Sequence, residues 1–193
     1  MTGDDSDDGL WRRCGDGDGA AMERLFRRHA DRIYGHVFRL TASWSRSEEI
    51  VSIVFLEAWR KRETSLSTGA VLPWLYGIAG NVLRNEIRAR GRHRRLIEKL
   101  SVCAFDRDFV EGLASRIDDE ARAGELLALI QQFPQHEQDV IALCWWSGLT
   151  LRDAALALEL PVGTVKSRLS RARQRLLAHT SNSPSTSNES GDA

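Results

Sequence analysis

Apolar residues recur at steps of three and four along most of this chain, and no stretch alternates as a half-buried strand would. Leu25, Phe26, His29, Ile33, Val37 and Leu40 form one stripe of an amphipathic helix over about 20–41. Ile50, Val51, Val54, Phe55, Ala58 and Trp59 do the same for a second helix. Ser45 or Ser47 is its candidate N-cap, and Glu48 and Glu49 suit the positive end of its dipole. The pattern fades near Arg62, before the loop chemistry of Thr64 to Gly69. A third helix is predicted from Pro73, a good first-turn residue, to about Arg90, with Gly91 as its stop and Leu75, Ile78, Ala79 and Val82 as its core stripe.

Periodicity weakens over 99–120 and returns at Leu126, Leu127, Leu129, Ile130 and Phe133. Pro134 breaks the chain; Val140, Ile141, Leu143 and Cys144 then lead into Trp145 and Trp146, and Gly148 ends that helix. Two short helices follow at about 150–159 and 162–178. The expected fold is therefore all-α. It has an acidic, mobile N-terminus (1–19), a helical domain (20–98), a flexible linker (99–120), a second helical domain (121–179) and a polar, low-complexity tail (180–193). Domains this small are only marginally stable alone.

Charge changes the picture. The formal net charge is zero over 193 residues, but the zero hides blocks. Residues 84–95 carry six arginines against one glutamate, and residues 166–175 carry five basic residues and no acid. Residues 2–19 hold six aspartates, and 105–125 hold seven acids. Two basic blocks fit a polyanion, while the acidic segments favour solubility. No apolar run is long enough for a membrane helix and the acidic N-terminus lacks an apolar core, so a cytoplasmic protein is expected. Cys14, Cys103 and Cys144 are widely separated, which argues against a disulfide framework or a zinc site.

Catalytic chemistry is not in view. No carboxylate pair, nucleophile with its base, Gly-rich phosphate loop or metal cluster stands at a usable spacing, so no enzyme activity, cofactor or metal is expected. His29, His36, His93, His136 and His179 are scattered; His29 and His36, seven apart on one helix face, are read as packing or surface residues.

The C-terminal block does carry a motif. In TLRDAALALELPVGTVKSRLSRARQRL, residues 150–176, a helix, a short turn at Leu160 to Gly163 and a second helix have helix-turn-helix spacing. Ala155 is small where the helices would cross. Val165, Leu169, Ala172 and Leu176 make a buried stripe; Ser167, Ser170, Arg171 and Gln174 fall opposite, with Thr164, Lys166 and Arg168 at the flanks and N-terminal end. A major groove admits such a helix, and arginine makes two hydrogen bonds to a guanine edge. On the 73–90 helix, Trp74, Gly77, Asn81, Arg84, Asn85 and Arg88 share a face apart from the core stripe. An aromatic for stacking, amides for base edges and arginines for backbone suit opened or single-stranded DNA. Trp74 equally fits a core position.

At these residues the chain resembles the extracytoplasmic-function (ECF) group of the sigma-70 family. LFRRHADRIYGHVFRL, SEEIVSIVFLEAWRKR and WLYGIAGNVLRNEIRARGR resemble its sigma-2 domain, and FPQHEQDVIALCWWSGLTLRDAALALELPVGTVKSRLSRARQRL its sigma-4 domain. The resemblance implies a promoter-specificity subunit. Glu48, Glu49, Ser52 and Glu57 would face the clamp helices of core RNA polymerase. The 63–72 loop with Asn81 would capture an unstacked −10 base, with Trp74, Arg84, Asn85 and Arg88 along the melted strand. Thr164, Lys166, Ser167, Arg168 and Arg171 would enter the −35 groove while sigma-4 touches the polymerase flap. The linker would run along the RNA exit path, and an anti-sigma factor would hold the chain inactive. The chain departs from the family at Ser52 and Ile53, where a Gln and an acid are usual, at Glu86 for aspartate, at Ala154 for a larger aliphatic residue, and at Glu159 for glycine. A residue other than glycine there implies a strained backbone or a different turn. The competing reading is a helix-turn-helix regulator that binds duplex DNA without being a polymerase subunit, its N-terminal domain serving as a partner-binding module.

Overall fold

The computed structural model describes residues 5–64, 66, 69–100, 124 and 128–181, and all its regular elements are helices. In chain order they are α1 (Asp7–Gly15), α2 (Gly19–Thr41), α3 (Trp44–Arg60), α4 (Val71–Leu100), α5 (Gln135–Val140), a π-helical turn (Ile141–Trp146), α6 (Leu151–Leu158) and α7 (Val162–Ser181). The sequence-predicted segments 101–120 and 182–193 lie outside the described residues, as do residues 1–4.

The acidic N-terminus departs from expectation. Residues 7–15 form a helix, capped by Ser6, whose hydroxyl accepts from the Gly9 amide at 3.1 Å. Leu10 and Cys14 are fully buried and Trp11 nearly so. The Trp11 indole donates to the Thr64 carbonyl at 2.9 Å, and its ring stands edge-on to Trp74, centroids 4.8 Å apart. Asp7 accepts from Arg28 at 2.6 Å and pairs with His29 at 2.8 Å, and Asp8 accepts from the Gly69 amide. Three apolar residues at i, i+1 and i+4 suffice to dock a two-turn helix when its acids meet arginines on α2.

Boundaries shift elsewhere for local reasons. Ser43, not Ser45 or Ser47, occupies the N-cap position of α3, without a side-chain cap bond. Ser47 is buried and donates to the Ser43 carbonyl at 2.6 Å. Helix α4 passes through Gly91 to Leu100, so the expected stop and the first two residues of the expected linker are helical. Gly91 costs only about 1 kcal/mol in a helix interior, less than a break in the ladder. The 141–146 segment is π-helical rather than α; Gly148 follows at φ 68°, and the Leu149 amide donates to the Leu143 carbonyl at 3.0 Å.

The two halves do not keep separate cores. One cluster runs from Leu10, Leu25 and Val54 through Leu75 and Ile78 to Val140, Ala155 and Val165. A satellite of Ile130, Phe133, Ile141 and Ala172 sits within the C-terminal half. Two small domains gain by sharing a core, because each alone buries too little surface. The two expected helical domains also pack directly on each other, α6 on α4 and the π-turn on α2. The backbones approach closely at Gly77: a Cβ there would stand 2.7 Å from the Ala157 carbonyl oxygen.

Candidate nucleic-acid interface

The helix-turn-helix forms as the spacing required. Thr150 caps α6, its hydroxyl accepting from the Asp153 amide at 3.1 Å. Ala154, Ala155 and Ala157 are buried, and their small side chains let other helices approach. Glu159 ends α6 in the left-handed region (φ 54°, ψ 43°), the strained outcome anticipated for a residue other than glycine. Its strain is offset by the turn it permits, in which the Leu160 amide donates to the Ala155 carbonyl at 2.9 Å. Helix α7 starts after Pro161, and Val165 and Ala172 are fully buried with Leu169 and Leu176 beside them.

That stripe sets the exposure of the rest. Lys166, Ser167, Ser170, Arg171 and Gln174 are exposed, and Thr164 and Arg168 are half-buried. Ser167 donates to the Thr164 carbonyl at 2.9 Å, which seats both on the first turn. Arg175 leaves this set: its Nε lies 3.3 Å from the buried Glu137 carboxylate, tying α7 to α5. The outward face is cationic, so an anionic groove is its electrostatic complement.

On α4 the predicted face divides. Asn81, Asn85 and Arg88 are exposed. Asn81 and Asn85 border a groove also lined by Ile53, Glu57 and Lys61 of α3 and the turn after it. Arg84 is half-buried; it donates to Asn81 at 2.8 Å and stands 3.7 Å from Asp139 on α5. Trp74 is half-buried and packs edge-on against Trp11 at the border of the core. Glu86 pairs with Arg46 at 3.1 Å, joining α4 to the start of α3. The side chains of Arg90 to Arg95 lie outside the described residues.

Along α3, Glu48, Glu49, Ser52 and Leu56 make an exposed stripe, with Ile53 and Glu57 half-buried beside it. Ser52 donates to the Glu48 carbonyl, and Glu57 accepts from Arg60 at 2.8 Å. The helix therefore offers acids and apolar atoms together.

Titratable groups in the interior serve packing. Burial pushes the Cys14 thiol up to about 11 and also raises Cys144. Burial lowers His29, against the opposing pull of Asp7. His36 is pushed down to about 4, mainly by burial and secondarily by Arg39. Among the described residues, no group of three His, Cys, Asp or Glu side chains could hold a metal, and no helix is long and apolar enough to cross a membrane. Periodicity could not single out His36, Asp139, Ser147 or the Gly77–Ala157 approach, because each acquires its meaning from contact between distant segments.

An exposed cationic recognition helix and a second polar helix face, both carried on one helical core, define a DNA-binding protein of the helix-turn-helix class. The Sigma-70 region 2 family matches residues 25–93, and Sigma-70, region 4 matches 123–176. The chain is 29% identical over 185 residues to the RNA polymerase sigma-H factor of Pseudomonas aeruginosa, covering 91% of this chain and 94% of that protein. It is 30% identical over 179 residues to the ECF RNA polymerase sigma-E factor of Haemophilus influenzae, covering 89% and 93%. Two solved structures share the fold at 21% identity. CnrH in complex with the cytosolic domain of CnrY has a TM-score of 0.68, covering 92% of this chain and 99% of that one. The sigma factor RpoE in complex with the anti-sigma factor NepR from Bartonella quintana has a TM-score of 0.59, covering 84% and 98%. The chain belongs to the ECF group of the sigma-70 family. It is an RNA polymerase sigma factor that directs transcription initiation, and its role is non-catalytic.

Proposed function

We propose a division of labour among three surfaces. The exposed stripe of α3, with Glu48, Glu49, Ser52 and Glu57, binds the clamp helices of core polymerase. Asn81, Asn85 and Arg88, joined by Arg84, follow the melted −10 strand. Helix α7 reads the −35 element through Lys166, Ser167, Arg168 and Arg171, with Thr164 positioning its first turn, while the region 4 half meets the polymerase flap. Trp74 supports this surface from the core, behind the DNA-facing residues. The observation that carries the reading is the outward cationic face of α7, held by the buried Val165 and Ala172 stripe.

Control by an anti-sigma factor belongs to the same reading, supported by the complexes in which CnrH and RpoE were solved. In this chain such a partner would compete for the α3 stripe or for the faces of α4 and α7. Reconstitution with sigma-free core polymerase, followed by run-off transcription on genomic fragments, tests the reading. Defined transcripts that depend on the chain, and weaken when Glu48 and Glu49 are both replaced by lysine, are the expected result. Undiminished transcription by that double variant would remove the α3 assignment.

A further inference from the structure

The contact between the two halves has chemistry of its own. His36, on α2, is 2% exposed, and its ring faces Tyr76 of α4 edge-on at 5.0 Å. Its Nδ1 lies 2.8 Å from Ser147 Oγ, 111 residues away. Ser147 in turn donates to the Ala142 carbonyl at 2.9 Å, so its oxygen accepts from His36 Nδ1–H. A second ring proton would keep this bond but place a full charge in a small buried cavity bordered by both halves. The charged groups around it are Arg39 on its own helix, Arg84 on α4 and Asp139 on α5. Asp139, the one acid lining that cavity among the described residues, is engaged by Arg84 and by the Gln135 amide. Burial and Arg39 outweigh the Ala142 backbone hydrogen bond that favours the charged ring, so two cations and a committed carboxylate make a poor home for an imidazolium.

We propose that His36 and Ser147 form an acid-labile latch that holds the region 4 half against the region 2 half, and that protonation of His36 releases it. Closure also occupies one edge of α4: Gly77 meets Ala157, and Arg84 is drawn to Asp139. Opening therefore returns Arg84 to solvent beside Asn81 and Arg88. The importance of that edge for promoter binding rests on the proposed −10 face; the latch does not.

The sign follows from linkage. In the closed form the ring resists protonation down to about 4, against an ordinary value of 6.5 once water reaches it. Closure is therefore complete above about pH 6.5 and is lost as pH falls toward 4. Between pH 7.5 and 5 the open-to-closed ratio should rise by roughly tenfold or more.

Small-angle X-ray scattering of the full chain measures this directly, without DNA or polymerase. The radius of gyration should stay low at pH 7.5 and increase at pH 5, with helical content by circular dichroism unchanged. The His36→Asn variant, whose amide reaches the Nδ1 position but gains no proton, should remain compact at pH 5. Gly77→Leu, which drives a side chain into the Ala157 backbone, should be expanded at both pH values. In the wild-type chain the His36 ring resonances should titrate below 6.5 and together with the expansion. A wild-type chain compact at pH 5, or a His36→Asn chain that expands in parallel with it, overturns the latch. A failure of −10 binding with the expansion intact would overturn the proposed face and leave the latch standing.

Discussion

Glu159 stands at φ 54° and ψ 43° in the helix-turn-helix turn, where only glycine is free of steric cost. It is exposed, and the bonds closing the turn come from backbone amides. Glu159→Gly should therefore raise stability by about 0.5–1 kcal/mol through relief of Cβ strain, reduced by the greater freedom of glycine in the unfolded chain. Urea unfolding measures it; a loss of stability would mean that the Glu159 side chain contributes more than its backbone costs. Other residues were legible in kind but not in role. Trp74 fitted a stacking platform or a core position, and it stands half-buried and edge-on to Trp11. Spacing alone does not separate these, because an aromatic on a helix flank serves whichever neighbour arrives first.

At the scale of elements, α1 shows how little apolar content a helix needs once it has a surface to dock on. Its two aspartates are balanced by two arginines, only three of its side chains are large or apolar enough to anchor it, and nine residues are too few for stability in isolation. Packing of Leu10, Trp11 and Cys14 on α2 and α4 supplies the stability that propensity lacks. Trp11→Ala should cost about 3–5 kcal/mol, the range for truncating a buried large aromatic. Chemical denaturation of the full chain checks this, and a cost under about 0.5 kcal/mol would return α1 to the status of a loose surface segment. Helices α2, α3, α6 and α7 were legible because each carries three or more turns of periodic burial or a capped start. Helix α4 outran its expected end because an interior glycine weakens a helix without stopping it.

Across the whole molecule, the two surfaces proposed to face DNA lie on different helices and would meet different forms of the promoter. Asn81→Ala should therefore weaken binding of the polymerase holoenzyme to a pre-melted −10 template by about 1–3 kcal/mol, the scale of one good base contact, and leave duplex −35 binding unchanged. Gel-shift titrations on the two templates at one salt concentration measure the split, since phosphate contacts shift both with ionic strength. Equal losses on the two templates would show that Asn81 acts through the fold. In the proposed latch, closure would add a second level of control, because Arg84 pairs with Asp139 when the halves are together and would join the proposed promoter face when they part.

The amino-acid pattern by itself determined the helical class, the order of the main helices, the buried stripe of α7 and thus the basic residues it turns outward. Those properties depend on neighbours within one turn or two, where a period of 3.6 residues already separates inside from outside. Tertiary structure alone decided that the acidic N-terminus docks, that Trp74 meets Trp11, that Arg84 turns to Asp139 and that His36 meets Ser147. Each of these joins residues distant in the chain, from 21 positions for Asp7 and Arg28 to 111 for His36 and Ser147, and the surface that selects them exists only after the helices have shared their core.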